Sequence, residues 1–369
     1  MNKRLNSFAG RMKTIAVIGT RGFPGIQGGV EMHCLHIYPH ITEARFRVYR
    51  RKPYLTAESS ARYANITFVD LPSTRIKGFE AVFHTLISVI HIIFHRVDVV
   101  HIHNIGPGLF APVLRLFGFK VVMTYHSANY EHKKWGRLAR ALLRLSEWVS
   151  LRWCNRIIFV NKFQMEKYPA RIMRKSIYIP NGLEQSGAVP ETDFLCGKGI
   201  EPGNYLLAVG RITPEKGFHF LIEAIQQCAA VSRLVIAGGS DHDSTYLDRL
   251  KALDTRNKVI FIGFTARRNL AQLYSHARLF VLPSVNEGFP LVLLEALGYG
   301  LQVVVSDIPA THLLELPTEC YFECGNVEQL RAVLTRTLEN EQATADYGID
   351  VATYSWPNIA AQTGRVLIS

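Results

Sequence analysis

Two positively charged side chains lie five positions apart in a glycine-bounded loop near the middle of the chain. Residues 210–217 read GRITPEKG, and they follow the apolar, strand-like run 205–209. Arginine makes a forked contact with phosphate oxygens and lysine adds a point charge, so Arg211 and Lys216 could together hold both phosphates of a diphosphate. The same residues also fit the surface charges of a solvated loop, and this stretch alone leaves both interpretations open.

Two glutamates with seven residues between them flank the start of a predicted helix, 290–299. Glu287 falls in the loop that follows the strand-like run 279–282, and Glu295 falls inside the helix among apolar neighbours. A carboxylate is costly to bury unless it accepts hydrogen bonds, and a sugar or ribose hydroxyl would donate them. The spacing therefore favours a carbohydrate-binding role over a solvent-facing one.

A loop with four glycines, residues 20–29, follows the first predicted strand, 14–19. Glycines let the backbone approach a ligand closely, and the amides at the start of the next helix favour an anion. The glycines do not have the dinucleotide-binding GxGxxG spacing, and no acidic residue ends the next strand, which weakens an NAD interpretation. By itself the loop is equally typical of a tight strand–helix turn.

The elements that must position these residues alternate between strand and helix, which predicts α/β architecture with parallel sheets and ligands at the carboxyl ends of the strands. The predicted strands are 14–19, 46–49, 66–70, 97–101, 121–125, 157–160 and 176–179, and then 205–209, 234–237, 259–262, 279–282 and 302–306. The predicted helices are 30–41, 79–95, 135–154, 217–229, 244–253, 268–276 and 290–299. The pattern restarts after Asn181-Gly182, so we place a domain boundary near residue 183.

The two halves differ in charge. The 369-residue chain has a net charge of +12, but residues 1–183 carry 28 Lys/Arg against 9 Asp/Glu and residues 184–369 carry 14 against 21. A basic half suits nucleic acid, an anionic membrane surface or a phosphorylated lipid. No nucleic-acid recognition motif is present and the second half is acidic, so we expect no nucleic-acid partner. Residues 1–11 lack the apolar segment of a signal peptide, and we expect them to be a disordered extension.

These features, in this order, resemble the family 4 glycosyltransferases, which are retaining enzymes with the two-domain GT-B fold. The likeness covers essentially the whole chain. It is carried by Glu287 and Glu295 as the family's E-x7-E motif, by the 210–217 motif, and by GGVE at 28–31. It implies two Rossmann-like domains whose parallel sheets face a central cleft: an acceptor-side domain 1–183 and a nucleotide-sugar-binding domain 184–353. A terminal helix, 354–369, would cross back to the first domain.

The resemblance also implies roles for individual residues. Arg211 and Lys216 would neutralise the donor diphosphate, Glu287 would hold the hexose hydroxyls, and His126 would lie beside the reacting sugar. The remaining donor-binding residues would contact the diphosphate, the nucleotide's sugar and the base; they are Gly28, Gly29, Gly210, Gly263, Phe264, Gly288, Phe289 and Glu295. The family needs no cofactor beyond the nucleotide-sugar substrate, so we expect none and no metal.

A narrower likeness concerns the runs IGTRGFP at 18–24 and YRRKPY at 49–54. They look like the branch that includes bacterial polysaccharide rhamnosyltransferases, which implies dTDP-L-rhamnose as donor and a lipid-diphosphate-linked saccharide as acceptor. Two alternatives stay open. The first is the same chemistry with a UDP- or GDP-hexose, and the second is a nucleotide-sugar 2-epimerase, which shares the architecture but needs no acceptor.

Two histidine- or aspartate-rich runs could be mistaken for metal sites. Residues 241–243 read DHD after a glycine pair, which we interpret as a solvated loop. His101 and His103 lie on one face of a predicted strand end and lack a third ligand in sequence, so we favour a role at the sheet edge or in the acceptor cleft.

A basic segment interleaved with aromatic and aliphatic residues, 133–156, includes the predicted helix 135–154. Its charged members are Lys133, Lys134, Arg137, Arg140, Arg144, Arg152 and Arg156, and its apolar members are Trp135, Leu138, Leu142, Leu143, Leu145, Trp148 and Trp153. Such a helix suits a membrane interface, although a core-facing apolar stripe with a charged outer face is an equally good interpretation of the spacing alone. The basic charge of the half leads us to expect a cytoplasmic protein peripherally attached to the inner face of the cell membrane.

Overall fold

The computed structural model describes residues 11–26, 28–74, 79–128, 136–184, 187–239, 244–339 and 347–369. Of the expected disordered extension, residues 1–10 therefore lie outside the described residues. The DHD run at 241–243 lies wholly outside them. The chain forms two compact units. Unit 1 contains the residues up to Gly182 together with Trp356–Ser369, and unit 2 contains Leu183–Ser355.

Unit 1 is a parallel sheet of seven strands covered by helices. Its strands are β1 (Lys13–Ile18), β2 (Ala44–Arg51), β3 (Ile66–Leu71), β4 (Val99–His103), β5 (Lys120–Tyr125), β6 (Arg156–Phe159) and β7 (Ser176–Tyr178). Its helices are α1 (Gly29–Ile37), α2 (Glu80–Ile93), α3 (Ala111–Leu116), α4 (Arg137–Trp153), α5 (Lys162–Glu166) and α6 (Ala170–Met173). The spatial order is β3-β2-β1-β4-β5-β6-β7. Ile15 and Val17 belong to one core cluster and Ala16 and Ile18 to another, so the Ile15–Ile18 part of β1 is apolar because both of its faces are covered.

Unit 2 repeats this design with six parallel strands in the order β10-β9-β8-β11-β12-β13. The strands are β8 (Leu206–Val209), β9 (Leu234–Ala237), β10 (Val259–Gly263), β11 (Leu279–Leu282), β12 (Val303–Asp307) and β13 (Tyr321–Glu323). The helices are α7 (Asp193–Cys196), α8 (Phe218–Gln226), α9 (Ser244–Leu253), α10 (Arg267–Ser275), α11 (Leu291–Gly298) and α12 (Val327–Glu339). The predicted class, two α/β Rossmann-like domains with parallel sheets, is confirmed.

Each sheet has one point at which the order of the strands reverses. In unit 1 it lies between the neighbouring strands β1 and β4, and in unit 2 between β8 and β11. Ligands of open α/β sheets bind outside the carboxyl ends of the strands at such a point. The glycine loop follows β1, the 210–217 loop follows β8, and Glu287 follows β11, so three of the predicted motifs lie at these two positions.

The last helix, α13 (Trp356–Ile368), packs in unit 1. Its Ile359 and Leu367 share a core cluster with Ile37 of α1. The predicted helix began two residues earlier, at 354. The structure keeps Tyr354 in unit 2 because its carbonyl oxygen accepts a hydrogen bond from the Leu183 amide at 2.6 Å.

Several elements differ from the prediction. Helix α1 ends at Ile37 instead of residue 41, because Pro39 lies in the 3-10 turn that follows it and proline cannot continue an α-helix. Strand β4 runs to His103 instead of residue 101, because both of its histidines are buried with hydrogen-bond partners. Helix α12 and the edge strand β13 were not predicted.

Candidate functional site

The loops that follow β8 and β11 lie directly against each other in unit 2. Gly217 has a φ of +66°, and a Cβ atom there would lie 1.9 Å from the carbonyl oxygen of Pro283. Beside this contact, the Val285 amide donates a hydrogen bond to the Glu215 carbonyl at 2.8 Å. Only glycine allows this approach, because any side chain would collide with the opposite backbone.

This loop pairing brings two predicted catalytic residues together. The Lys216 ammonium donates a hydrogen bond of 2.5 Å to Oε1 of Glu287, and the Ser284 hydroxyl donates to the same oxygen at 2.7 Å. Both charged side chains are largely buried, with 16% and 10% of their side-chain surface exposed. The pair therefore places a cation and a hydrogen-bond acceptor side by side at the carboxyl ends of adjacent strands.

Two further residues of the 210–217 motif, Gly210 and Arg211, were predicted to contact the donor. A Cβ at Gly210 would lie 3.5 Å from the Cδ of Lys216, so the aliphatic part of the lysine extends over the glycine. Gly238 allows a similar approach on the other side, since a Cβ there would lie 1.9 Å from the Gly210 oxygen. Arg211 follows directly and its side chain is exposed. The lack of side chains at Gly210 and Gly238 thus lets the Lys216 stem and the neighbouring backbone pack closely.

Glu295 lies inside α11 and is half-buried. The Tyr274 hydroxyl, from α10, donates a hydrogen bond of 2.9 Å to its Oε2. Burial raises the pKa of the Glu295 carboxyl above its usual value. The sequence argument favoured a ligand hydroxyl as the donor to this carboxylate and missed Tyr274, since no spacing rule pairs a tyrosine with a glutamate 21 residues away.

The two aromatic residues predicted to contact the donor have different surroundings. Gly263 ends β10 with a φ of +75°, and Phe264 after it is 64% exposed. Phe289 is buried instead, with its ring centroid 6.2 Å from that of Tyr354. Phe264 can therefore stack on a planar ligand. Phe289, directly after Gly288, instead packs inside unit 2 against Tyr354.

The glycine loop of unit 1 is held by a glutamate that was part of the motif but was not predicted as a site residue. Glu31 is buried in the first turn of α1, and its Oε1 accepts hydrogen bonds from the Arg21 amide at 3.0 Å and from Thr20 Oγ1 at 3.3 Å. Gly28 has a φ of +146°, and a Cβ there would lie 2.1 Å from Glu31 Oε2. A Cβ at Gly29 would meet open space among the described residues.

His126 follows β5 and belongs to a group of histidines. Its Nε2 lies 2.9 Å from Nδ1 of His103, and its ring centroid lies 4.9 Å from that of His33. Burial lowers the pKa of His126 and His103 well below the usual value and that of His33 to about 4, so all three are neutral near pH 7. One nitrogen from each ring lies within 4.8 Å of the others, and of the described residues this trio has the donor set that could hold a metal ion.

Two family models match the chain. Residues 27–186 match the model described as Glycosyltransferase Family 4, and residues 197–350 match the one described as Glycosyl transferases group 1. The chain belongs to the family 4 glycosyltransferases. The two models meet near the boundary between unit 1 and unit 2, so each unit of this glycosyltransferase corresponds to one of them.

Individual relatives cover less of the chain. An uncharacterised glycosyltransferase of Methanocaldococcus jannaschii is 34% identical over 44% of both chains. An O-antigen chain mannosyltransferase of Salmonella typhimurium is 27% identical over 49% of this chain and 51% of its own length. The glycosyltransferase thus spans about half the length of the curated relatives that it matches. A sucrose-phosphate synthase from Thermosynechococcus elongatus shares the fold, with a TM-score of 0.82, 22% identity and coverage of 96% and 98% of the two chains.

Proposed function

We propose that this glycosyltransferase moves a hexose from a nucleoside-diphosphate sugar to a saccharide acceptor in polysaccharide assembly, with retention of the anomeric configuration. The observation that carries the proposal is the Lys216–Glu287 pair at the strand reversal of unit 2. A carboxylate held there can accept hydrogen bonds from hexose hydroxyls, while the ammonium beside it can bind a leaving diphosphate.

The reaction we propose is a front-face substitution. The bond between the anomeric carbon and the diphosphate oxygen breaks, and the acceptor hydroxyl bonds to the anomeric carbon on the same face. The acceptor's proton passes to the departing diphosphate, whose charge Arg211 and Lys216 offset. The Lys216–Glu287 ion pair leaves Glu287 as a hydrogen-bonding group and gives it no role as a nucleophile.

The donor that we propose first is dTDP-L-rhamnose, with a lipid-diphosphate-linked saccharide as acceptor. Its support is the likeness of residues 18–24 and 49–54 to the rhamnosyltransferase branch. GDP-mannose is the second candidate, because the Salmonella relative is named a mannosyltransferase. UDP-hexoses are the third, and Phe264 could stack on the base of any of these donors.

We also propose that α4 attaches the protein to an anionic membrane surface where a lipid-linked acceptor would lie. The helix docks through a polar face: Ser146 and Ser150 donate hydrogen bonds to the Ile105 carbonyl at 2.6 and 3.2 Å. Most of its apolar residues are exposed, with Leu138 at 86% and Trp148 at 61%, whereas Leu143 and Leu151 pack in the core of unit 1. Of the predicted segment, Lys133, Lys134 and Trp135 lie outside the described residues. Among the described helices, none is long and apolar enough to cross a bilayer.

A donor panel tests the enzymatic proposal. Purified protein is heated with dTDP-L-rhamnose, GDP-mannose or UDP-glucose, and the preferred donor at 100 times its Kd should stabilise the fold by about 2.7 kcal/mol. The same donor is then incubated with and without a lipid-diphosphate saccharide, and the product's anomeric configuration is read by NMR. Transfer with retention supports the proposal. A new sugar nucleotide formed without acceptor would instead identify an epimerase, and an inverted product would rule out the front-face route.

A further inference from the structure

A chain of hydrogen bonds connects His126 to the core of unit 1. His103 Nδ1 lies 2.9 Å from His126 Nε2, and His103 Nε2 lies 2.6 Å from the Tyr38 hydroxyl. The same hydroxyl lies 2.8 Å from His101 Nδ1, and His101 Nε2 lies 2.8 Å from Thr124 Oγ1. His126 is partly exposed, whereas the other four side chains are buried. The chain thus runs from a surface imidazole to a threonine that is closed off from solvent.

The direction of these bonds follows from their chemistry. A neutral imidazole has one N–H and one nitrogen lone pair, so the role of one ring nitrogen fixes that of the other. The hydroxyls of Thr124 and Tyr38 each have a hydrogen that is costly to leave unpaired when buried. Both are used if Thr124 donates to His101 Nε2 and Tyr38 donates to His103 Nε2.

The remaining bonds then have only one arrangement. His101 donates from Nδ1 to the Tyr38 oxygen, and His103 donates from Nδ1 to His126 Nε2. The lone pair of His126 Nε2 is therefore occupied, and its hydrogen lies on Nδ1.

We propose that Tyr38, His101 and Thr124 are positioning residues that hold His126 as the Nδ1–H tautomer, so that it donates a hydrogen bond to the bound substrate and neither accepts nor transfers a proton. Tyr38, His101 and Thr124 act through His103 and touch no substrate themselves. The role of His126 beside the sugar rests on the proposed function. Its tautomer does not, because it can be measured on the protein alone.

The groups that face this chain are compatible with a neutral imidazole. His33 and Cys34 approach from α1, and the His33 Nδ1–H donates to Asn181 Oδ1 at 2.8 Å. The Cys34 sulfur lies 3.5 Å from His103 Nε2, and burial keeps that thiol protonated by raising its pKa. The one buried charge that acts on Cys34 is Glu31, whose carboxylate is paired with Arg21. The hydrogen-bond chain from Thr124 to His126 therefore consists of neutral groups, which fix the direction of each hydrogen bond and carry no charge.

The test is Tyr38→Phe, which removes the oxygen at the middle of the chain and keeps the ring. The matched control is Tyr49→Phe, since Tyr49 is also buried and bonds a histidine, His91, at 2.9 Å outside the chain. The 15N shifts of the His126 ring, assigned by their loss in His126→Gln, distinguish Nδ1–H from Nε2–H. We expect one tautomer in the wild type and in Tyr49→Phe, and a mixture in Tyr38→Phe and in Thr124→Val.

Turnover with the accepted donor gives the second measurement. Loss of one hydrogen bond in the transition state corresponds to about a tenfold lower kcat, with KM for the donor nearly unchanged, in Tyr38→Phe but not in Tyr49→Phe. Wild-type 15N shifts in Tyr38→Phe, or an Nε2–H tautomer in the wild type, would overturn the proposal. So would a stoichiometric metal ion in the purified protein whose removal by chelator changes the ring shifts. If the wild type transfers no sugar but shows the Nδ1–H tautomer, the proposed function fails and the hydrogen-bond assignment stands.

Discussion

The Lys216 ammonium has a carboxylate partner before any donor binds, because Glu287 accepts its hydrogen bond. A buried charge without a partner would be far more costly than this pair. The pair also limits the freedom of both side chains, and a diphosphate arriving at Lys216 finds an ammonium whose position is already fixed. The Ser284 hydroxyl adds a second donor to the same carboxylate oxygen, which holds Glu287 in place as the lysine engages the ligand.

Replacing Lys216 by alanine tests its predicted role with the diphosphate. We expect kcat to fall at least about a hundredfold, because removing one preorganised donor to developing negative charge costs roughly 3–4 kcal/mol of transition-state stabilisation. Steady-state kinetics with the accepted donor measures this, with circular dichroism to check the fold. The control is Lys198→Ala, an exposed lysine of the same unit. Near-wild-type turnover in Lys216→Ala would remove the central assignment of the site.

At the scale of elements, the site of unit 2 depends on how closely two loops approach. Strands β8 and β11 are neighbours, so the loops after them start a few ångströms apart. The lack of a side chain at Gly217 then lets the first loop touch the Pro283 backbone. Helix α8 begins directly after this glycine and fixes its orientation.

Gly217→Ala should separate these loops. Alanine in a left-handed conformation costs about 1–2 kcal/mol, and the clash with the Pro283 oxygen adds to that cost. Gly199→Ala is the matched control, since Gly199 has the same φ of +66° but a Cβ there would meet open space among the described residues. We expect both variants to lose stability in urea titrations, and only Gly217→Ala to lose the thermal shift caused by the donor. Equal donor responses would show that the loop contact does not support the site.

Helix α4 gives a prediction about membranes. The triple variant Leu138→Ser, Leu145→Ser and Trp148→Ser removes exposed apolar area without changing charge, and it should abolish flotation with anionic vesicles. The control is Met173→Ser with Ile177→Ser, two exposed apolar residues elsewhere in unit 1. Wild-type flotation should also weaken as salt rises, because the Debye length shortens. Equal flotation with neutral and anionic vesicles would contradict the proposal.

At the scale of the whole molecule, the two units should respond differently to acid. Burial lowers the pKa of His33 and His84 to about 4 and that of His101 to about 3, and all three lie in unit 1. Their unfolded pKa is near 6.5, so the unfolded state takes up protons first as the pH falls. The stability of unit 1 is therefore fully present above pH 6.5 and is lost progressively below it.

Each of these histidines should lower the free energy of unfolding by up to about 1.4 kcal/mol per pH unit as the pH falls. The three together should lower it by several kcal/mol between about pH 6.5 and 5.5. All four tryptophans fall within the sequence of unit 1, so tryptophan fluorescence in urea titrations follows that unit alone. His84→Gln provides the internal check, since it should reduce the slope by one histidine's share. A free energy of unfolding that stays constant from pH 7 to 5.5 would contradict the assignment of these histidines as neutral and buried.

The architecture could be predicted because its signals are local. Short apolar runs marked nearly every strand, and the alternation with helices indicated two parallel α/β domains. Two of the missed features have no local signal: the three-residue strand β13, and the extension of β4 to His103, where polar residues occupy a buried strand because distant partners satisfy them. Site residues such as Tyr274 and Tyr38 were missed for the same reason.

The sequence by itself determined which residue types follow which strands: glycines, Arg211 and Lys216 after one, Glu287 after another, histidines after a third. Only the tertiary structure decided which of these meet. Lys216 and Glu287 are 71 residues apart, and their contact depends on β8 lying beside β11. Tyr38 and His103 are 65 residues apart in the sequence, and they meet because the turn that follows α1 packs over β4. Strand order and helix docking are set by burial of whole faces across the unit, and no window of sequence contains that information.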